Sequence, residues 1–538
     1  MNRRHFLGNL GASALGLPLV LEGFSTRAFA ESPTLKQVAE LAAAEDRILV
    51  LIQLGGGNDG INTLIPLDQA STYYNIRKAV AIPEGRITKL TNAIGLHPSF
   101  APVKSLYDEG KLAIVQGVSY PTVNQSHFRS TDIWFTASNY DQYLPSGWLG
   151  RFVNADAPTY PQGYPNARTP DPLALEIGGM MSLTLQGNTN AMGMTIRDLS
   201  AFEQLVSGKT GTGGIVAERT GKAGNRINFF RDMQAQSQKY SSRIKDVADK
   251  GRNRAQYPAK GINPLADQLQ IVARLIAGGL QTRVYVVNLG GFDTHWSQAE
   301  ATDVTTGIHA NLLRYLAEGM NIFQQDLKLL GLEKHVVGMT ISEFGRRPAT
   351  TSLGTDHGTA GPMFIFGSSV KGGVIGANPS LTDLLPDGNL KMQYDFRQVY
   401  TSILSQWFLA DANRVGAVMM KSFSQLPLIS LQTSVRDSYQ NQHQTSHSAS
   451  VQEQISVRNF PNPCAVATGI EYVLSQSGNV RITLHDTLGR EIVTLFEGFQ
   501  TSGAHRINAD VSALSQGVYF YTVRTEYGFA TGRMSVER

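Results

Sequence analysis

Cysteine is almost missing: Cys464 is the only one in 538 residues. A lone thiol excludes an intramolecular disulfide and a thiolate metal cluster, and it reads as buried filler rather than as a nucleophile. Net charge is scarce as well, +4 from 47 Lys+Arg and 43 Asp+Glu. The first thirty residues hold Arg3, Arg4 and Arg27 against Glu22, so the remainder lies closer still to neutral. No basic run interleaved with aromatics occurs, which argues against nucleic acid as a partner. No apolar run reaches the roughly 20 residues of a membrane-spanning helix. The stretch Leu10–Leu21 is too short and too interrupted, so no permanent transmembrane segment is expected.

What is present starts with an export signal. Arg3-Arg4 precede Phe6-Leu7, a modest apolar stretch follows, and Ala28-Phe29-Ala30 offers a small-x-small cleavage pattern. Residues 1–30 are therefore read as a signal peptide, with Glu31 as the mature start. The arginine pair resembles the twin-arginine signal, which implies the twin-arginine translocase as a partner and passage through the periplasm. An ordinary secretory signal with two adjacent arginines is the alternative.

The next 400 residues alternate buried-strand runs with amphipathic helices. RILVLIQL at Arg47–Leu54, KLAIVQ at Lys111–Gln116, RVYVVNL at Arg283–Leu289, His335–Ile341 and Met363–Phe366 read as strands. Leu265, Leu269, Val272, Leu275, Ile276 and Leu280 mark one helix; Ile308, Leu312, Leu316 and Ile322 mark another. Strand, helix, strand with short connections predicts an α/β domain over residues 31–431, its mostly parallel sheet flanked by helices. The span from about Asn154 to Lys260 is rich in Gly, Pro, Asn and Gln and reads as insertions and loops, with a helix in Asn228–Lys245. Residues 432–454 are dominated by Gln, Ser, His and Asn, a polar linker. From about Ile455 the period becomes two, with turns at Gly478-Asn479 and Leu488-Gly489, which predicts a small all-β, Ig-like sandwich over 455–538.

The polar residues at strand ends carry the chemistry. Asp59 follows the first strand in GGGNDG, Ser126-His127 and Arg129 follow the second, and Asp293 and His295 follow RVYVVNL. Glu343, Asp356 and His357 follow His335–Ile341. In open α/β sheets, ligands collect outside the carboxyl ends of the strands. Carboxylates and imidazoles gathered there suit a divalent ion, Zn²⁺, Mn²⁺, Mg²⁺ or Ca²⁺. Each residue has a plainer reading: an Asx turn for Asp59, a helix N-cap for Ser126 and Asp293, packing arginines for Arg129, Arg346 and Arg347.

GGGNDGINTLIPL, SHFRSTDIW, GGFDTH, SEFGRR and GTDHG, in this order, resemble a bacterial secreted family of unknown function that typically carries twin-arginine signals. That family is similar to the alkaline phosphatase and sulfatase superfamily. The resemblance implies an alkaline-phosphatase-like fold and a metal-dependent hydrolase of phosphate or related esters, acting on a small anionic substrate. A catalytically silent secreted or cell-surface binding protein on the same fold is the alternative. The resemblance implies Asp59, Asp293, His295, Glu343 and His357 as metal residues, with Ser126 near the nucleophile position; Asp356 joins the metal residues, and His127 and Arg129 join Ser126 as catalytic candidates, by their places beyond the strands. Phe344 stands where the superfamily has a histidine ligand, so a single ion is expected rather than two. NFPNP, IEYVL, DTLGR and GVYF, between Asn459 and Phe520, resemble the type IX secretion sorting domain. That implies the type IX machinery as a partner and a secreted or cell-surface destination.

Overall fold

The computed structural model describes residues 46–199, 239–430, 456–474, 477–486, 491–525 and 529–537. The expected signal peptide, the linker at 432–454 and the first part of the expected helix at 228–245 lie outside them; residues 239–250 are helical, so that helix runs past its expected end. The chain divides into two units, Met1–Gln432 and Thr433–Arg538.

The first unit is built on a nine-stranded sheet. Its strands are β1 (Ile48–Gly55), β2 (Leu112–Ser119), β3 (Ala174–Ile177), β4 (Met194–Ile196) and β5 (Val284–Gly290), then β6 (Val336–Ile341), β7 (Gly361–Phe366), β8 (Gly373–Ile375) and β9 (Tyr394–Asp395). Their order is β8-β2-β7-β6-β1-β5-β3-β4, with β9 also paired to β2. Every pairing is parallel except those of β7, which runs antiparallel to both β2 and β6. The central strands are apolar on both faces: β2 and β6 are buried at every position. Such strands need cover on each face, which is why they read as continuous apolar runs rather than alternations. Part of the cover is α2 (Pro264–Ala277), capped by the Asn263 side chain on the amides of Leu265 and Ala266, and α3 (Ile308–Leu330), which packs against it.

Two results depart from the sequence reading. The insertion from Asn154 contributes two short strands, β3 and β4, that extend the sheet beyond β5. They are only 4 and 3 residues long, too short for periodicity to register in a Gly- and Pro-rich background. The other is the reversal of β7. A parallel neighbour would begin at the opposite edge of the sheet. Because β7 is reversed, the segment leading into it, residues 342–360, stays at the edge where β1, β2, β5 and β6 end.

In the second unit, Ser456–Phe460, Ala467–Leu474 and Gly503–Asp510 form one antiparallel sheet. Glu491–Gln500, Gly478–His485, Gly517–Thr525 and Phe529–Val536 form another. Ile470, Tyr472, Val480, Ile482, Val523 and Met534 share one apolar core between them, with Cys464 buried in it. No helix among the described residues is long and apolar enough to cross a membrane.

Candidate metal centre

The loop after β1 is shaped by close approach. Gly56 and Gly57 have φ of +119° and +80°. A Cβ on Gly56 would overlap the Asp293 amide, and one on Gly57 would meet the Phe344 ring. Only glycine combines those dihedrals with that clearance. The Gly56 amide then donates to Glu343 Oε1 at 2.8 Å. Arg346, fully buried, ties the neighbouring loops together. Its guanidinium donates to the carbonyls of Gly56, Gly57 (2.8 Å), Phe292 (3.0 Å) and Thr355 (2.7 Å), and to Asp293 Oδ1 at 2.7 Å. That spends nearly all its donors on the protein. Residues 345–359 turn back on themselves, with Gly345 N to Thr359 O at 2.7 Å and Gly358 N to Gly345 O at 2.8 Å, which delivers His357 beside β5's loop.

Four side chains converge at this edge. His295 Nε2 lies 3.0 Å from His357 Nε2 and 3.0 Å from Asp293 Oδ1. His357 Nε2 is 3.2 Å from the same oxygen. His127 Nε2 faces the other Asp293 oxygen at 3.3 Å without hydrogen-bond geometry. Each imidazole is held by its other nitrogen: His357 Nδ1 by the Gln125 carbonyl (2.8 Å), His295 Nδ1 by Asp356 (3.1 Å), and His127 Nδ1 by Glu343 Oε1 (2.8 Å). A carbonyl or carboxylate accepts only from N–H, so the Nδ1 atoms carry the protons. In the neutral rings all three Nε2 lone pairs then point inward. Beneath them the buried Phe344 ring packs 4.9 Å from His127 and 4.7 Å from His357.

These residues fit a divalent ion. Lone pairs 3.0 Å apart repel unless a proton or a cation stands between them. Two donors each about 2.1 Å from one ion stand roughly 3.0–3.4 Å apart at right or tetrahedral angles. His127, Asp293 and His357 hold ligand atoms within 4.8 Å of one another. His127 Nε2 and Glu343 Oε2 are buried with no hydrogen-bond partner, as an ion ligand and its neighbouring carboxylate would be in the protein alone. Asp293, Glu343 and Asp356 against Arg346 leave two negative charges unbalanced among these groups, the charge of one divalent ion. Burial would raise the Asp293 pKa, but the hydrogen bond from the Arg346 guanidinium is the largest influence opposing it and keeps the carboxyl below its ordinary range, so the carboxylate is ionised at neutral pH. The hydrogen bond to Glu343 raises the His127 pKa, whereas burial lowers that of His357.

The other candidate residues take different places. Asp59 is buried, 1% exposed, and is not among the converging donors. Its carboxylate pairs with Arg77, accepts from Gln298 Nε2 at 2.6 Å and caps the helical turn at Gly60–Thr63. Glu343 Oε1 accepts from the Gly56 amide and meets His127 Nδ1, both at 2.8 Å. Asp356 orients His295. Ser126 sits at the N-cap of α1 (His127–Thr136) with an exposed residue and no capping hydrogen bond from its hydroxyl. Arg129 donates to the carbonyls of Asn139, Tyr140 and Gln142 at 2.7–3.1 Å and lies 3.9 Å over the Tyr143 ring. Sequence reasoning missed Arg77, Gln298 and His309. Gln298 also accepts from Thr355, and His309 Nε2 meets Asn58 at 3.0 Å. Burial lowers the His309 pKa to about 4, so this imidazole is neutral and braces the loop after β1. No local pattern marks such residues, because their partners are brought together only by the fold.

If Glu343 orients a ligand histidine, Glu343→Gln lowers divalent-ion affinity about 10- to 100-fold while leaving the fold intact. Isothermal titration of the chelator-stripped variant with Zn²⁺ or Mn²⁺ measures this, and unchanged affinity refutes the orienting role.

The family described as "Protein of unknown function (DUF1501)" matches residues 136–419, more than half of the chain. The description "Secretion system C-terminal sorting domain" matches residues 458–537. None of the curated proteins compared with the chain matches it. Among solved structures it is similar to one titled for the metabolism of multiple glycosaminoglycans by Bacteroides thetaiotaomicron. The identity is 8% and the TM-score 0.32, over 86% of this chain and 90% of that one. It is similar to the PsFucS1 sulfatase from Pseudoalteromonas sp. at 9% identity and TM-score 0.31, over 90% and 88%. A protein in the alkaline phosphatase superfamily from Vibrio parahaemolyticus gives 8% and 0.30, over 80% and 75%. At these values the chemistry rests on the chain's own residues.

Proposed function

Because the chain belongs to the family described as "Protein of unknown function (DUF1501)", which names no activity, we propose a function from the site itself. The α/β unit is an exported hydrolase of anionic esters that works with one divalent ion, and the C-terminal unit directs it to secretion or the cell surface. The observation that carries this reading is the convergence of three imidazole Nε2 atoms on the Asp293 carboxylate, each ring fixed through its Nδ1. Asp293, His295, His357 and His127 would hold the ion. When bound, it would polarise an ester oxygen and lower the pKa of a nearby hydroxyl or water.

The chain's residues do the rest. Glu343, Asp356 and the Gln125 carbonyl keep the rings aimed, so little reorganisation is needed at reaction. Ser126, next to His127 and at a helix N-terminus, presents a hydroxyl that capping does not consume, the nucleophile of this reading. Arg346 keeps Asp293 ionised and in place, and Phe344 shields the rings from below. With an ion supplied, the protein should hydrolyse p-nitrophenyl phosphate or p-nitrophenyl sulfate, and Ser126→Ala should lower kcat at least about 100-fold while metal content is kept. Absence of turnover on both esters in the metal-loaded wild type defeats the hydrolase reading. One observation favours the alternative, a catalytically silent binder: Arg346, the guanidinium bonded to Asp293, spends nearly all its donors on the protein and is not free to receive an anion.

A further inference from the structure

Four large apolar side chains of the first unit stand out among the described residues: Phe128 at 89% exposed, Trp296 at 86%, Tyr143 at 77% and Met180 at 74%. The next, Ile262, is 57% exposed. All four lie in segments that follow the carboxyl ends of parallel strands: Phe128 and Tyr143 after β2, Met180 after β3, Trp296 after β5. The most exposed apolar surface of this unit is thus gathered at the edge that holds the candidate centre. Phe128 directly follows His127 and Trp296 directly follows His295, whose rings lie 4.4 Å and 4.7 Å from that of His357. Consecutive Cα atoms are 3.8 Å apart, so both aromatics belong to the rim. Arg129 gives Tyr143 its place there, through the three carbonyls and the ring contact described above.

Apolar side chains stabilise a fold by leaving water, so these four, left in water, stabilise nothing in it. Apolar patches beside polar sites mark ligand surfaces. The rim is not continuous apolar surface, however. Exposed Asn124 and Ser126 stand on the loop that leads to Phe128, and exposed Asp356, on the segment before β7, is bonded to His295 beside Trp296. An acyl chain laid there would strip water from these groups without pairing them. A nucleotide carries further phosphates that need cations, and Arg346, the guanidinium bonded to Asp293, already donates to four backbone carbonyls. A pyranose ring suits both features. One face presents only C–H groups to an aromatic, and its edge presents hydroxyls to amide, hydroxyl and carboxylate.

We propose that the alcohol part of the substrate is a pyranoside, stacked on Phe128 and Trp296 so that its ester group reaches the centre. This rests on the ester-hydrolase reading, so the test uses neither ester nor ion. Full-length, chelator-treated protein is examined by saturation-transfer NMR with methyl glucopyranoside, galactopyranoside, mannopyranoside and fucopyranoside, and with 4-methylphenol as the arene arm. The expected result is transfer to the C–H protons of one face of at least one pyranoside, with affinity at least 10-fold weaker in Phe128→Ala/Trp296→Ala. Both side chains are exposed, so the variant should fold, and circular dichroism checks that it does. The proposal is overturned if no pyranoside receives transfer, if the double variant binds equally, or if only 4-methylphenol binds. A positive result without turnover elsewhere would defeat the hydrolase reading alone.

Discussion

Replacing His295 and His357 together by alanine should abolish stoichiometric divalent-ion binding. The two changes remove the Nε2 atoms that stand 3.0 Å apart and both approach Asp293 Oδ1. What remains is Asp293 and His127, two protein donors where a closed or catalytic site uses three or four. Loss of one orienting contact already weakens such sites about 10- to 100-fold, so loss of two donors should exceed that range. A second readout follows from linkage. An ion that binds only the folded chain stabilises it by about 2.7 kcal/mol at a hundredfold excess over Kd. Wild-type protein should therefore melt at lower temperature after chelation, and the double variant should show no such difference. Elemental analysis and paired melting curves give both measurements. A variant that keeps one ion per chain places the ion somewhere else.

Removing the Asp59 carboxylate should cost far more in stability than in metal. Asp59→Ala leaves Arg77 fully buried with its ionic partner gone. The remaining contacts of Arg77 are Asn62 at 3.1 Å and the carbonyls of Arg347 and Pro348 at 3.0 and 2.9 Å. Breaking a buried pair from one side typically destabilises by about 3–5 kcal/mol, because a charge is left in low dielectric. The Gln298 amide would lose its acceptor as well. Burial opposes ionisation of Asp59, yet Arg77, His309 and Gln298 together hold its pKa below the ordinary value. The carboxylate therefore serves as a counter-ion inside the protein. Urea unfolding measures the loss, and the folded fraction should keep its ion. A variant of near wild-type stability that has lost metal would instead make Asp59 a ligand.

The sheet was legible because its central strands are buried on both faces and announce themselves as apolar runs. That His127, Asp293, His295 and His357 would share one edge was legible for the same reason, since each lies beyond such a run. Distances between loops were not. Nothing in GGGNDG tells whether Asp59 faces solvent, an ion or Arg77, eighteen residues further on. Nothing in SEFGRR tells that the Arg346 donors go to carbonyls from loops after β1 and β5 and to its own turn. Nor does it tell that Glu343 Oε1 meets His127 Nδ1, a contact made only in the fold. His357 arrived by a route that strand counting does not foresee, since a reversed β7 brings its preceding loop to the shared edge. The exposed pair Phe128 and Trp296 was visible in the sequence only as two aromatics, since exposure is a property of the folded surface.

The most direct measurement is anomalous diffraction from crystals of the wild-type protein supplied with Zn²⁺ or Mn²⁺. One peak per chain is predicted, bounded by Nε2 of His127, His295 and His357 and by the Asp293 carboxylate, with Glu343 on the far side of His127. Absence of a peak at these four residues in metal-loaded crystals, or a peak at Asp59 instead, contradicts the account.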